Sequence, residues 1–125
     1  MGKNILAVCD VDASYARNFT EYQNEKNRTP FEVQAFTNVE SLEKFARDNE
    51  IDILLISTRA MCNEIGNLPI GRTIILSEGE QPANQGYPLI NKYQSSDDII
   101  SEVMEYFVQD HPQPNIMALG ARKPS

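Results

Sequence analysis

The stretch Ile51-Asp52-Ile53-Leu54-Leu55-Ile56-Ser57 constrains the chain most. Five of its seven residues are Ile or Leu, and it ends abruptly in small polar residues. A run this short, with no polar alternation, is the pattern of a strand buried on both faces. Such strands lie inside parallel sheets. In open parallel sheets, ligands and chemistry sit just beyond the strands' carboxyl ends. Here Ser57 holds that place, so the functional question is what a serine does there.

The flanking sequence supplies the rest of the sheet. Asn4 to Cys9 is apolar except at its edges and reads as a first strand. Asp12 can cap the helix that follows, in which Tyr15, Ala16, Phe19 and Tyr22 recur at helical spacing. That helix should fade by Asn27, before Pro30. Phe31 to Phe36 alternates strictly, as an edge strand with one wetter face does. Thr37-Asn38-Val39-Glu40 has the T-x-x-E form of a capping box, with Thr37 as the cap. The helix it opens places Val39, Leu42, Phe45 and Ala46 on one face. After Ser57 the pattern weakens, and only a short helix near Met61 to Ile65 is expected. Thr73 to Ser77 is a further buried-type strand. Gly79, Pro82 and Gly86 make Glu78 to Tyr87 poor helix material. Pro88-Leu89-Ile90 is the last strand. Ser95 then caps a helix whose apolar face is Ile99, Ile100, Val103, Met104 and Phe107.

Strands alternating with helices imply a mainly parallel sheet covered on both faces. The expected fold is α/β: a three-layer, flavodoxin-like, doubly wound five-stranded parallel sheet of order 2-1-3-4-5, with the third and fourth helices shortened. The domain should span residues 1–109. From Asp110 the composition changes. His111-Pro112-Gln113-Pro114 cannot continue a helix, and the stretch to Ser125 carries Arg122, Lys123 and Pro124 without periodicity. Residues 110–125 read as a linker leading to a further domain.

Charge and composition narrow the function. A chain of 125 residues can bury one real core. A formal charge of −7 disfavours nucleic acid and anionic membranes, which need a basic footprint. No apolar run approaches the roughly 20 residues of a membrane span, and the N-terminus lacks the apolar core of a signal peptide. Cys9 and Cys62 form no C-x-x-C pair and there is one histidine, His111, so a zinc site is not expected. Free thiols fit a reducing cytoplasm.

In the expected strand order, four segments converge on one edge of the sheet. The first strand brings Cys9, Asp10 and Asp12, the third Ser57, the fourth Ser77 and the fifth Lys92. With these residues the layout resembles a response-regulator receiver domain of the CheY type, from about Lys3 to Gln109. The resemblance implies a Mg²⁺-holding acidic pair after the first strand, which falls on Cys9-Asp10, so only the second acid matches. It implies a phospho-accepting aspartate at the end of the third strand, where Ser57 stands. Ser77 matches the hydroxyl residue of the fourth strand. Lys92 matches the lysine of the fifth, although Tyr93 replaces the usual proline. The aromatic switch position falls near Ile90.

Phosphoryl transfer from a phosphohistidine to a carboxylate needs an acyl-phosphate acceptor and a divalent metal. Serine offers a hydroxyl of very high pKa with no base nearby. Two of the three side-chain oxygen ligands of such a metal are gone, and a hard cation held by Asp10 alone binds poorly. No aspartyl-phosphate cycle, metal or other cofactor is therefore expected. A one-residue slip would instead place Asp10 and Asp12 together in the pocket. Ser57 as a catalytic nucleophile lacks a G-x-S-x-G motif and a partner histidine; it reads as the cap of the turn after its strand. Lys92 should pair with Asp10 where phosphate would sit. Ser77 can satisfy loop backbone, Cys9 reads as a buried small hydrophobe, and Glu78-Gly79-Glu80 as a solvated loop.

The chain is thus expected to be a non-enzymatic, non-phosphorylatable receiver-like domain that binds a protein partner or controls its own C-terminal effector domain. A homodimer is a further option for its partner. It also resembles the degenerate receivers that precede MinD/ParA-type ATPases in the TadZ/CpaE family of Flp (tight-adherence) pilus assembly. The stretch Pro112 to Ser125 stands where such an ATPase would start. That resemblance implies a bacterial cytoplasmic, polar location. The competing readings are a phosphorylatable receiver with an unusual acceptor and a small flavodoxin-like ligand-binding domain. Against the latter, Cys9-Asp10-Val11-Asp12-Ala13-Ser14 has no glycine and repels phosphate.

Overall fold

A computed structural model describes residues 4–26, 30–79 and 86–110. The elements run β1 (Asn4–Cys9), α1 (Ala13–Lys26), β2 (Phe31–Phe36), α2 (Val39–Asp48), β3 (Ile51–Ser57), a 3-10 helix (Asn63–Asn67), β4 (Ile70–Ser77), β5 (Leu89–Asn91) and α3 (Ser96–Asp110). The strands form one five-stranded sheet in the order β2-β1-β3-β4-β5, with every pairing parallel. This is the expected doubly wound arrangement.

β3 lies at the centre, flanked by β1 and β4, and its Ile/Leu run feeds both faces. Ile53 and Leu55 pack with Phe19 of α1 and Ile99, Val103 and Phe107 of α3. Leu54 and Ile56 pack with Leu42 and Ala46 of α2 and Ile65 of the 3-10 helix. All four are essentially inaccessible to water. Each such side chain contributes about 1.5–3 kcal/mol relative to exposure, so this strand is the main fastening of the three layers. The polar exception, Asp52, accepts the Ile5 N–H at 2.8 Å and so ties the start of β3 to β1.

The outer edge of β2 is capped at Val33 from within. Asn24 of α1 accepts the Val33 N–H at 3.1 Å and donates to the Val33 carbonyl at 3.0 Å. Edge strands left open recruit other strands, and here a helix side chain takes the place of one. At the other end of the core, Phe31 meets Phe107 edge-on with centroids 5.0 Å apart. Arg72 makes a two-pronged ion pair with Asp110, both contacts at 2.6 Å, which pins the end of α3 to the start of β4.

Four boundaries differ from the sequence expectation. The cap of α2 is Asn38, whose side chain accepts the Ser41 N–H at 2.8 Å, and Thr37 is not the cap. Asn is as good an N-cap as Ser or Asp, so the adjacent residue displaces the T-x-x-E register. The short helix after β3 starts two residues later than expected and is of the tighter 3-10 type. β4 begins at Ile70 rather than Thr73. Pro69 and Gly71 look like breakers, yet Gly71 is needed within the strand: a Cβ there would lie 2.6 Å from the Asp52 carbonyl oxygen. β5 is shifted by one residue to Leu89–Asn91. Between β3 and β4 the third helix is reduced as expected. The loop expected between β4 and β5 lies largely at residues 80–85, outside the described residues, as does the expected linker 110–125 apart from Asp110, which is the last residue of α3.

Among the described residues, no helix is long and apolar enough to cross a membrane.

Candidate functional site

The carboxyl ends of β1, β3, β4 and β5 come together because all four strands run parallel. The centre of this rim is a buried ion pair. Lys92, just after β5, places its Nζ 2.7 Å from an Asp10 carboxylate oxygen just after β1. Their side chains are 5% and 1% exposed, so water does little to screen them. The opposite oxygen of Asp10 accepts the Asp12 N–H at 2.9 Å, which closes the turn into α1.

Two further groups hold Lys92. Glu78, following β4, reaches its Nζ at 3.4 Å and also approaches Arg59 at 3.8 Å. Tyr15 of α1 lies beneath it, with Nζ 4.4 Å from the ring centroid, and donates its hydroxyl to the Lys92 carbonyl at 3.3 Å. An ammonium over an aromatic face is attracted by the ring quadrupole. Burial alone would lower the lysine's pKa. The Asp10 hydrogen bond and charge, with Glu78 adding, outweigh that, and Lys92 stays charged above the usual lysine range. Tyr15 is pushed up to about 12, first by burial and then by the Asp10 charge.

The remaining sequence candidates lie around this ion pair in the local roles read for them from the sequence. Ser57 is fully buried and its Oγ accepts the Ala60 N–H at 3.3 Å, so it caps the turn leaving β3. Ser77 Oγ accepts the Gly79 N–H at 3.1 Å. The Cys9 thiol belongs to the apolar cluster on the α2 side of the sheet. Burial, then the Asp10 and Cys62 charges, pushes it up to about 11. It is therefore a core side chain at this edge rather than part of the polar cluster. Asp12 is exposed and accepts the Tyr15 N–H at 3.2 Å as the cap of α1. The slipped register, with Asp10 and Asp12 side by side in the pocket, is thus replaced by one acid inward and one outward.

Two participants escaped the sequence reading. Glu78, which reads as solvated loop, is bonded to Lys92; its signal is its place directly after the fourth strand's terminal serine. Tyr15, which reads as core, touches both ends of Lys92. The helical spacing that marks an apolar face cannot show that a tyrosine also meets the rim of the sheet.

A central five-stranded parallel sheet of order 2-1-3-4-5, with a lysine following the fifth strand and an acid following the first, decides the architecture. The fold is that of CheY-like receiver domains. Comparison with solved structures finds the same. The receiver domain of a Francisella response regulator superposes with a TM-score of 0.65 at 17% identity, covering 85% of this chain and 98% of that one. A CheY-like receiver domain from Methanospirillum hungatei gives 0.66 at 10% identity, covering 87% and 97%. A Burkholderia pseudomallei response regulator, solved with a phosphorylated aspartic acid, a calcium ion and citrate, gives 0.60 at 14%, covering 87% and 75%. No family model and no curated protein matches the chain at the sequence level.

Receiver domains imply a divalent cation at this rim, and the donor set can be tested for one. Among the described residues no three metal-ligating side chains cluster. The one buried carboxylate at the end of β1, Asp10, already holds an ammonium at 2.7 Å. Ser57 supplies a neutral hydroxyl committed to the backbone. A hard dication needs several oxygens, with carboxylates among them, and these residues do not fit one.

Proposed function

We propose that this chain is a receiver-fold domain that works without phosphorylation, as a protein-interaction or regulatory unit rather than an enzyme. The observation that carries the proposal is the Lys92–Asp10 pair at 2.7 Å beside a serine at the end of β3. A phosphorylatable rim keeps a carboxylate acceptor and a metal; this rim has an alcohol and a fixed internal cation. Among the described residues the Ser57 Oγ meets the Ala60 N–H and no carboxylate or imidazole that could act as a general base. The ammonium balances the remaining acid, so the charge that a metal and a phosphoryl group would bring is already satisfied. On this reading the fold is held in one state by an internal salt bridge, and its output is a surface rather than a switch.

The partner is a second protein or an effector domain carried by the same polypeptide. The basic, proline-containing sequence Pro112 to Ser125 supports an attached MinD/ParA-like ATPase only at the level of sequence order, of the kind found in TadZ/CpaE proteins of Flp pilus assembly. With it would go a cytoplasmic, polar location. Reading the coding sequence downstream of Ser125 tests that part directly, since a glycine-rich strand-to-helix loop with lysines is required there.

The central part is tested with acetyl phosphate and Mg²⁺, read by intact mass. The expected result is an unmodified chain. A stable gain of one phosphoryl group would overturn the proposal in favour of a receiver with an unusual acceptor.

A further inference from the structure

The end of the sheet opposite the polar rim carries a second concave surface. The turn from α2 into β3 and the residues before β4 form a groove in two continuous halves of about 450 and 310 Å³, which share Ala46, Arg47 and Pro69. Its floor is apolar: Ala46 is buried near the end of α2, and Leu68 and Pro69 precede β4. The walls are fixed rather than loose. Asn49 donates to the Phe45 carbonyl through its backbone N–H at 3.0 Å and through its side chain at 3.1 Å, closing the end of α2. The Leu68 N–H donates to the Ile65 carbonyl at 3.1 Å and the Ile70 N–H to the Leu68 carbonyl at 2.8 Å. These bonds hold the turn at Pro69 against the buried Ile65. The groove is therefore preformed, which spares an occupant the cost of ordering it.

Charge and position choose the occupant. Glu43, Asp48 and Glu50 line the groove against a single cation, Arg47. Among the described residues none of these acids is ion-paired. The last carbonyls of α2 add partial negative charge at the same place. Two copies meeting here would oppose acid to acid within a chain already at −7, and like charges across an interface cost affinity. The chain itself carries the complementary segment. Beyond Asp110 it holds Arg122 and Lys123, no Asp or Glu, and one apolar run, Ile116-Met117-Ala118-Leu119. The point of departure is fixed close by. Asp110, the last residue of α3, is held by Arg72 through two contacts at 2.6 Å. Pro69 lies three residues before Arg72, roughly 10 Å back along the strand. The six residues from Asp110 to Ile116 reach up to about 20 Å, so Ile116 can round the end of the sheet to Leu68. Pro112 and Pro114 favour an extended chain, which suits that span. Tethering also gives the segment an effective concentration on the order of millimolar, so weak contacts suffice.

We propose that the segment Ile116 to Lys123 docks back on its own domain in the α2–β4 groove, its apolar run on Ala46, Leu68 and Pro69 and its Arg122 and Lys123 toward Asp48 and Glu50. Docking there sets the direction in which the chain leaves the domain. The groove lies at the far end of the sheet from Asp10 and Lys92, so a phosphoryl adduct at the rim would remove the earlier reading and leave this one standing.

The test is NMR on the full chain, labelled at methyls and amides. The expected result is nuclear Overhauser contacts from the Ile116 and Leu119 methyls to those of Ala46 and Leu68. Ile116→Asp/Leu119→Asp should abolish them and shift the amides of residues 43–50 and 68–70, with the rest of the sheet unchanged. Asp48→Lys/Glu50→Lys, at two exposed positions, should lower the docked fraction at least about threefold. That fraction is read from the amide shifts of residues 120–123, placed between those of the wild type and of Ile116→Asp/Leu119→Asp. Contacts to another surface, no contacts at all, or groove amides indifferent to Ile116→Asp/Leu119→Asp would overturn the proposal. So would docking unchanged in Asp48→Lys/Glu50→Lys. Contacts between labelled and unlabelled chains in a mixed sample would assign the groove to the segment of a second copy, and would overturn it as well.

Discussion

The body of the sheet and its carboxyl rim obey different rules. In the body, β3 is held by many interchangeable apolar contacts on two faces. At the rim, Asp10, Lys92, Glu78 and Tyr15 form a few specific contacts, each depending on the others. The body needs only residues of the right polarity and size. The rim needs particular atoms at particular distances, so its chemistry can change while the fold persists. A serine at the end of β3 costs the body nothing, since it caps its own turn.

This contrast is sharpest where a single side chain is removed. Lys92→Met leaves the Asp10 carboxylate buried without its cation, and should destabilise the chain by about 3–5 kcal/mol. The double variant Asp10→Leu/Lys92→Met should recover most of that loss, because the cost lies in the unpaired charge. Urea midpoints of the three proteins check this; equal loss in the single and double variants would show that Lys92 contributes packing alone. In the body, Leu55→Ala should cost about 2–5 kcal/mol through lost burial and the cavity left behind. No second substitution of the polar kind should rescue it.

Alkaline pH should weaken both regions, by a smaller amount. Lys92, Cys9 and Tyr15 all have raised values in the folded chain. A raised value means that the folded state holds its proton more tightly, so stability is complete below the unfolded value and falls as pH rises toward the folded one. For Cys9 the window runs from the ordinary value of 9.0 to about 11. Stability should decline across it, and Cys9→Ala should flatten the decline by an amount of order 1–3 kcal/mol. Urea midpoints at several pH values across that window report it. An unchanged slope would place the Cys9 thiol outside the core. The smallest effect is expected from Ser57→Ala, which removes one buried hydrogen bond to the Ala60 N–H and should cost about 1 kcal/mol in thermal or urea unfolding. A much larger loss would mean that Ser57 also supports the Asp10–Lys92 pair.

The same division explains what the sequence could show. Strand order, the centrality of β3 and the helical faces follow from apolar periodicity, which records burial directly. The pairing of Asp10 with Lys92 was legible because strand ends in a parallel sheet meet at one edge. Glu78 was not, since a carboxylate flanked by serine and glycine looks like loop, and its role depends on a lysine 14 positions away. Nor was the early start of β4, because Gly71 reads as a breaker until the Asp52 carbonyl is seen beside it. Asn24 carries no signal at all in α1, yet it caps the edge of β2 at Val33.

The claim that an internal cation has taken the place of a metal is tested most directly by titrating Mg²⁺ into the chain and following the amide resonances of Asp10, Ser57, Ser77 and Lys92. The account predicts no saturable shifts at millimolar Mg²⁺. Saturable shifts at these four residues would contradict it, showing a cation site that the Asp10–Lys92 pair does not close.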